Sequence, residues 1–143
     1  YGSVGRNSTF ILGITPNAEG LIPEPDVNRM KEFGMEIKKR FSSALGRISG
    51  KGSNHELKLK SYQKIDHMVL MEDIAYGERV QEFSIEGKTK NGWILISKGS
   101  SIGHKFISKF KEVEVSALRL NITKSLAEPI IRDFSVYNSS GNL

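Results

Sequence analysis

The chain has 143 residues, of which 38% are hydrophobic and 26% are charged, and it contains no cysteine. This composition is typical of a globular domain and excludes a disordered, collagen-like or coiled-coil chain, a disulfide framework and a thiolate metal site. The net charge of +5 is within the range of ordinary domains, so we attribute it to a solvated surface. No run of 18 apolar residues is present, and we predict no membrane span.

The first 45 residues predict one strand and one helix. Residues 10–14 are a short apolar run bounded by turn residues, which indicates a buried strand. A helix is predicted over 23–40, because Pro23 and Pro25 suit its first turn and basic residues fill its last turn. Its apolar stripe, which we expect to dock on the rest of the chain or on a second copy, consists of Val27, Met30, Phe33, Ile37 and Phe41.

The remainder, from about Arg47, has the alternating pattern of short strands. The Asn91-Gly92 pair predicts a hairpin leading into residues 93–96. Six to eight short strands at this spacing favour an antiparallel sandwich or jelly roll. Residues 138–143 are expected to fray.

Catalytic and metal-binding patterns are weak. His55, His67 and His104 are far apart in sequence, so we predict no metal site and no cofactor. Glu72 and Asp73 are neighbours in a strand and point to opposite faces, which excludes them as a facing acid and base. They are expected to bond loop backbone or to pair with a nearby arginine.

A lysine-rich segment raises the hypothesis of a nucleic-acid-binding domain. Residues 87–111 contain six lysines, interleaved aromatic residues and no acidic residue. We favour the alternative, in which the aromatic side chains are core and the lysines face solvent. The predicted partners therefore include no nucleic acid.

Two stretches carry a resemblance to a known family. The first comprises residues 3–7 (SVGRN), 10–16 (FILGITP), 19–23 (EGLIP) and 31–34 (KEFG). It resembles the end of the catalytic domain of glycoside hydrolase family 29, where the last barrel strand reads like LLLNIGP and runs into DGxIP and the closing helix. The match departs at Gly13 and Thr15, where the family usually has Asn and Gly.

The second stretch extends from residue 49 to 137. It is similar to the C-terminal sandwich of the same family, which is discoidin-like or galactose-binding-like. Its anchors are residues 70–74 (LMEDI), 77–80 (GERV), 83–86 (FSIE), 101–105 (SIGHK), 118–120 (LRL) and 128–131 (EPII). The two resemblances occur in the family's order and together span nearly the whole chain.

The resemblance implies a mainly β fold: an antiparallel, galactose-binding-like sandwich over residues 46–143, preceded by the last strand and helix of a (β/α) barrel over 1–45. It also implies the C-terminal part of an α-L-fucosidase, a retaining exo-glycosidase that uses two carboxylates. In the family both carboxylates lie upstream of the last barrel strand, so no residue here is assigned a catalytic role and the chain alone is expected to be inactive.

The implied partners are a fucosylated glycan and the missing catalytic barrel, and the implied location is periplasmic or secreted. The alternative function is a freestanding discoidin-like carbohydrate-binding module. The residues predicted to bind sugar are Tyr76, Arg79, Trp93 and His104, because sugar recognition needs an aromatic ring and fixed polar groups. In the alternative interpretation the sandwich binds no sugar and only braces the barrel, and Trp93 belongs to the core.

Overall fold

The computed structural model describes residues 1–140. They form helix α1 (Glu24–Phe41), a 3₁₀ turn (Ile74–Tyr76) and six strands: β1 (Gly46–Lys51), β2 (Asn54–Glu72), β3 (Val80–Thr89), β4 (Gly92–Gly99), β5 (Phe106–Ser125) and β6 (Ile130–Tyr137). The strands make one antiparallel sheet in the order β1-β6-β2-β5-β3-β4. The mainly β fold predicted from the sequence is confirmed. Within the described range, no helix is long and apolar enough to cross a membrane.

Two long strands fold the sheet into two layers. The pairing of β2 with β5 is interrupted between Lys58 and Gln63. The first half of β2 pairs with the second half of β5, beside β3 and β4, whereas its second half lies beside β6 and β1. Bulges of this kind bend strands and allow a sheet to fold over itself. Two of the strands, β2 and β5, are therefore much longer than the short strands expected from the sequence pattern.

The core lies between the two layers. Alternate residues of β3 point inward, so that Phe83 and Ile85 are fully buried against residues of the opposite layer such as Met68 and Phe134. Gly87 is closely packed, since a Cβ atom there would lie 2.5 Å from the Cδ1 of Ile96 and 2.8 Å from the Cγ1 of Val115. The alternation seen in the sequence is thus the inward and outward alternation of this sandwich.

The predicted hairpin joins β3 to β4. Its two loop residues are Lys90 and Asn91, and Gly92 follows with a φ of 114°, which glycine adopts without strain. The Thr89 side chain closes the turn by donating to the Gly92 carbonyl at 2.8 Å.

Helix α1 begins and ends within one residue of the predicted limits, but only its last turn packs on the sandwich. The Phe41 ring meets His67 and Tyr137 edge-on, at centroid distances of 5.6 and 5.5 Å. No residue of α1 is buried, and Phe33 and Ile37 remain 55% and 45% exposed. The stripe as a whole does not dock on the sandwich, because the helix reaches it only at its C-terminal end, and docking on a second copy stays a prediction.

The predicted strand at residues 10–14 does not form. These residues belong to no strand and pair with no described strand, and Phe10, Ile11 and Leu12 are 54%, 85% and 57% exposed. A strand needs a neighbour for its N–H and C=O groups, and residues 1–140 offer none beside this segment. The apolar run is thus present without the sheet that would bury it.

The C-terminal segment is anchored as far as it is described. The Asn138 amide donates to the Lys64 carbonyl at 2.8 Å, and the Ser139 backbone N–H donates to Asp66 at 2.9 Å. The expectation of fraying is wrong for residues 138 and 139, which these bonds hold to β2. Residues 141–143 lie outside the described range.

Candidate functional site

Glu72, the last residue of β2, joins two loops of the sandwich. Its Oε1 accepts hydrogen bonds from the backbone N–H groups of Arg79 (2.9 Å) and Val80 (3.1 Å), and its Oε2 accepts one from Gly103 (2.8 Å). The side chain is almost wholly buried. Three backbone donors compensate this buried charge in place of a cation.

These bonds bring three of the four predicted sugar-binding residues to one end of the sandwich. Tyr76 is 62% exposed, and the Arg79 guanidinium lies 5.9 Å from its ring. The guanidinium is fixed by donating to the Tyr76 carbonyl (3.1 Å) and the Glu128 carbonyl (2.7 Å). His104 is exposed on the neighbouring loop, one residue after Gly103.

Trp93 lies apart from this group, at the hairpin end of β3 and β4. It faces Lys88 in the register, whereas the other three residues lie near the opposite end of β3. The ring is partly exposed, and the Arg119 guanidinium covers it at 4.3 Å. The alternative that placed Trp93 in the core is therefore wrong.

The surface around Trp93 is a charged network on the outer sheet face. Arg119 Nε donates to the Glu86 carboxylate at 2.5 Å, and the Asn121 amide donates to the same oxygen at 3.0 Å. The hydrogen bond from Arg119 lowers the pKa of Glu86 and outweighs the opposing effect of desolvation. The carboxylate thus stays ionised and holds Arg119 over the indole ring.

A second polar group joins the first 45 residues to the sandwich. The Tyr1 hydroxyl accepts a hydrogen bond from Arg40 (2.9 Å) and bonds His67 Nε2 (2.5 Å), and His67 Nδ1 bonds Asp66 (2.7 Å). Asp66 also accepts from the backbone and side chain of Ser139. Desolvation would raise the pKa of Asp66, but the bonds from His67 and Ser139 lower it.

This arrangement contains Ser, His and Asp but cannot act as a catalytic triad. A triad needs the serine hydroxyl on the histidine nitrogen that faces away from the carboxylate. Here that nitrogen faces Tyr1, and Ser139 bonds the carboxylate itself. The sequence analysis did not predict this group, although the Asp66-His67 pair within an apolar strand could have indicated it.

The paired acidic residues Glu72 and Asp73 have structural roles. Asp73 caps the 3₁₀ turn by accepting from the Ala75 N–H at 3.3 Å, and Glu72 is occupied by three backbone donors. Of the two outcomes expected for this pair, bonds to loop backbone or an ion pair with an arginine, the structure shows the first for both residues. Among residues 1–140, no group of three His, Asp or Glu side chains is arranged to hold a metal ion.

The fold is shared with a class of carbohydrate-binding modules. A family 32 carbohydrate-binding module from Streptococcus pneumoniae superposes with a TM-score of 0.55 over 63% of this chain and 75% of that chain. The two are 16% identical, so this likeness concerns the fold alone.

The sequence relatives are α-L-fucosidases. Alpha-L-fucosidase 1 from Arabidopsis thaliana is 28% identical over 96% of this chain and 34% of its own length. A crystal structure from Bacteroides thetaiotaomicron, described as an α-L-fucosidase, is 48% identical with a TM-score of 0.93 over 95% of this chain and 32% of its own length. No family model matches the chain. The resemblance predicted from the sequence is confirmed, and the chain spans about a third of the length of these relatives.

Proposed function

We propose that this chain is the C-terminal region of an α-L-fucosidase, a retaining exo-glycosidase that releases terminal α-L-fucose from glycans. The observation that supports this most strongly is the match of almost the whole chain to about a third of α-L-fucosidases, at up to 48% identity. The parent enzyme's substrate is then a fucosylated glycan. The chain alone is inactive, because no residue in it matches either catalytic carboxylate.

In this proposal residues 1–45 are the end of the catalytic barrel and residues 46–143 are the sandwich domain. The exposed apolar residues Phe10, Ile11 and Leu12 support this division, since barrel strands on either side would bury them. A groove of about 940 Å³ between α1 and the outer face of the sandwich, lined by Phe33, Ile37 and other apolar residues, also marks a surface for the missing barrel.

The sandwich braces the barrel and presents a sugar-contacting loop group, Tyr76, Arg79 and His104. The support for this group is the shared anchor Glu72 and the exposure of the Tyr76 ring. Trp93 is a separate aromatic contact at the other end of β3. The parent enzyme acts in the periplasm or outside the cell, where its glycan substrate is found.

The alternative of a freestanding carbohydrate-binding module is not favoured. The module from Streptococcus pneumoniae matches only 63% of the chain, whereas the fucosidases match nearly all of it, including α1. The sequence encoded upstream of Tyr1 tests the proposal. Seven further β/α units are expected there, and an unrelated domain in their place would overturn it.

A further inference from the structure

A small polar pocket lies where the first residues of the chain cross the end of β4. Its volume is about 350 Å³, and its lining contains two cations, one amide, four serines and no carboxylate. None of the four residues predicted to bind sugar lines it. The pocket is therefore a distinct feature, and its charge is uniformly positive.

Arg6 is held rigidly at this pocket. Its guanidinium lies 4.6 Å over the buried Phe106 ring, and Nη1 donates to the carbonyls of Gly5 (2.7 Å) and Ile107 (2.8 Å). The Nε and Nη2 donors have no partner among residues 1–140. Such a pre-oriented planar fork suits an oxyanion, because little conformational entropy is lost on binding.

The other lining residues add donors. Lys98 makes no ion pair within the described part of the chain. The Ser97 and Ser108 hydroxyls lie 3.2 Å apart, so one donates to the other and one proton remains for a ligand. Asn7 accepts from the Lys105 N–H at 2.8 Å through its oxygen, which leaves its amide hydrogens as donors.

We propose that this pocket binds a tetrahedral oxyanion, a sulfate or phosphate group esterified to a sugar of the parent enzyme's glycan. The assignment to a glycan rests on the proposed fucosidase function. A neutral sugar would leave Arg6 and Lys98 without a counter-charge, whereas an ester oxyanion accepts hydrogen bonds from both and from the serine hydroxyls. The site thus selects a charged glycan substituent.

Backbone amide NMR of the full 143-residue chain tests this proposal. The titrants are galactose 6-sulfate, galactose 6-phosphate, inorganic sulfate and galactose, at constant ionic strength. We expect both esters to shift the Ser100 and Ser101 amides at millimolar concentration and galactose to leave them unmoved. The ester that binds more tightly identifies the natural oxyanion.

Charge-removing variants locate the binding. Lys98→Gln should weaken ester binding about fivefold, as expected for one solvent-accessible charge contact worth roughly 1 kcal/mol. Lys60→Gln is the matched control, since it removes the same charge near the opposite end of the sheet and should leave the affinity unchanged. Arg6→Lys keeps the charge but loses the fork, and should also weaken binding.

Three results would overturn the inference: no shift with either ester up to about 50 mM, equal shifts with galactose, or unchanged affinity in Lys98→Gln. If inorganic sulfate bound as tightly as the sugar ester, the assignment of the site to a sugar ester would be overturned. Because the titration involves no hydrolysis, its failure leaves the fucosidase proposal standing. If the parent protein had no fucosidase activity, the oxyanion site would still stand, and only its assignment to a glycan would be lost.

Discussion

His67 and Asp66, neighbours in β2, form a buried hydrogen-bonded pair with 2.7 Å between Nδ1 and the carboxylate. The Tyr1 hydroxyl accepts a hydrogen bond from Arg40 and bonds His67 Nε2, so the imidazole is held by a hydrogen bond at each of its two nitrogens. The Phe41 ring of α1 covers the same imidazole. One buried pair therefore fixes the N-terminal segment, the helix end and the sandwich together.

Asp66→Asn should destabilise the chain by about 1–3 kcal/mol at neutral pH, since the amide cannot accept every bond that the carboxylate accepts. The pKa of Asp66 is lowered in the folded chain. Its contribution is therefore complete above the ordinary carboxyl value of about 3.9 and is lost as the pH falls through the lowered value.

Urea unfolding of both proteins across the acid range measures this effect. The difference between wild type and Asp66→Asn should shrink as the pH falls below about 4. Glu19→Gln removes an exposed carboxylate and serves as the control, with an unchanged free energy of unfolding. A difference that stayed constant down to the lowest pH would contradict the account of Asp66.

Glu72→Gln should loosen the two loops that carry Tyr76, Arg79 and His104. The substitution replaces one acceptor oxygen with a donor and costs about 1–3 kcal/mol for each buried partner left unsatisfied. Hydrogen exchange of the Arg79 and Gly103 amides should accelerate. Glu82→Gln on the exposed face of β3 is the control. Unchanged protection of both amides would show that Glu72 does not hold the loops.

The loop group should contact neutral sugar weakly. Titration with fucose and galactose is expected to shift the amides of Tyr76, Arg79 and His104, since an exposed ring beside a fixed guanidinium is a minimal sugar platform. Tyr76→Ala should abolish the shifts. If millimolar sugar moves none of these amides, the sandwich only braces the barrel.

Ile11 should contribute to the stability of the parent enzyme but not to the stability of this chain. It is 85% exposed here, so Ile11→Ala should change the free energy of unfolding by less than about 0.5 kcal/mol. In the parent, burial among barrel strands should raise the cost to about 2–5 kcal/mol. Thermal unfolding of both proteins compares the two cases.

Leu70→Ala is the control for this comparison. Leu70 is completely buried in the sandwich core, so its truncation should destabilise the chain and the parent alike. Equal, small effects of Ile11→Ala in both proteins would contradict the assignment of the first residues to the barrel.

Local sequence signals predicted the helix limits to within one residue, the hairpin at Gly92 and the alternating pattern of the strands, because each depends on neighbours along the chain. The strand at residues 10–14 failed because a strand forms only beside a partner, and none is described. The interpretation that placed Trp93 in the core was wrong, because the side chain that covers its ring, Arg119, is distant in the sequence. The anchoring of Ser139 by Asp66 is likewise non-local.

The most direct test of the central claim is the release of nitrophenol from a nitrophenyl α-L-fucoside. The protein that includes the sequence upstream of Tyr1 should hydrolyse this substrate, and the 143-residue chain at the same concentration should not. Measurable hydrolysis by the chain alone, or none by the longer protein, would contradict the proposal that this chain is the accessory C-terminal region of an α-L-fucosidase.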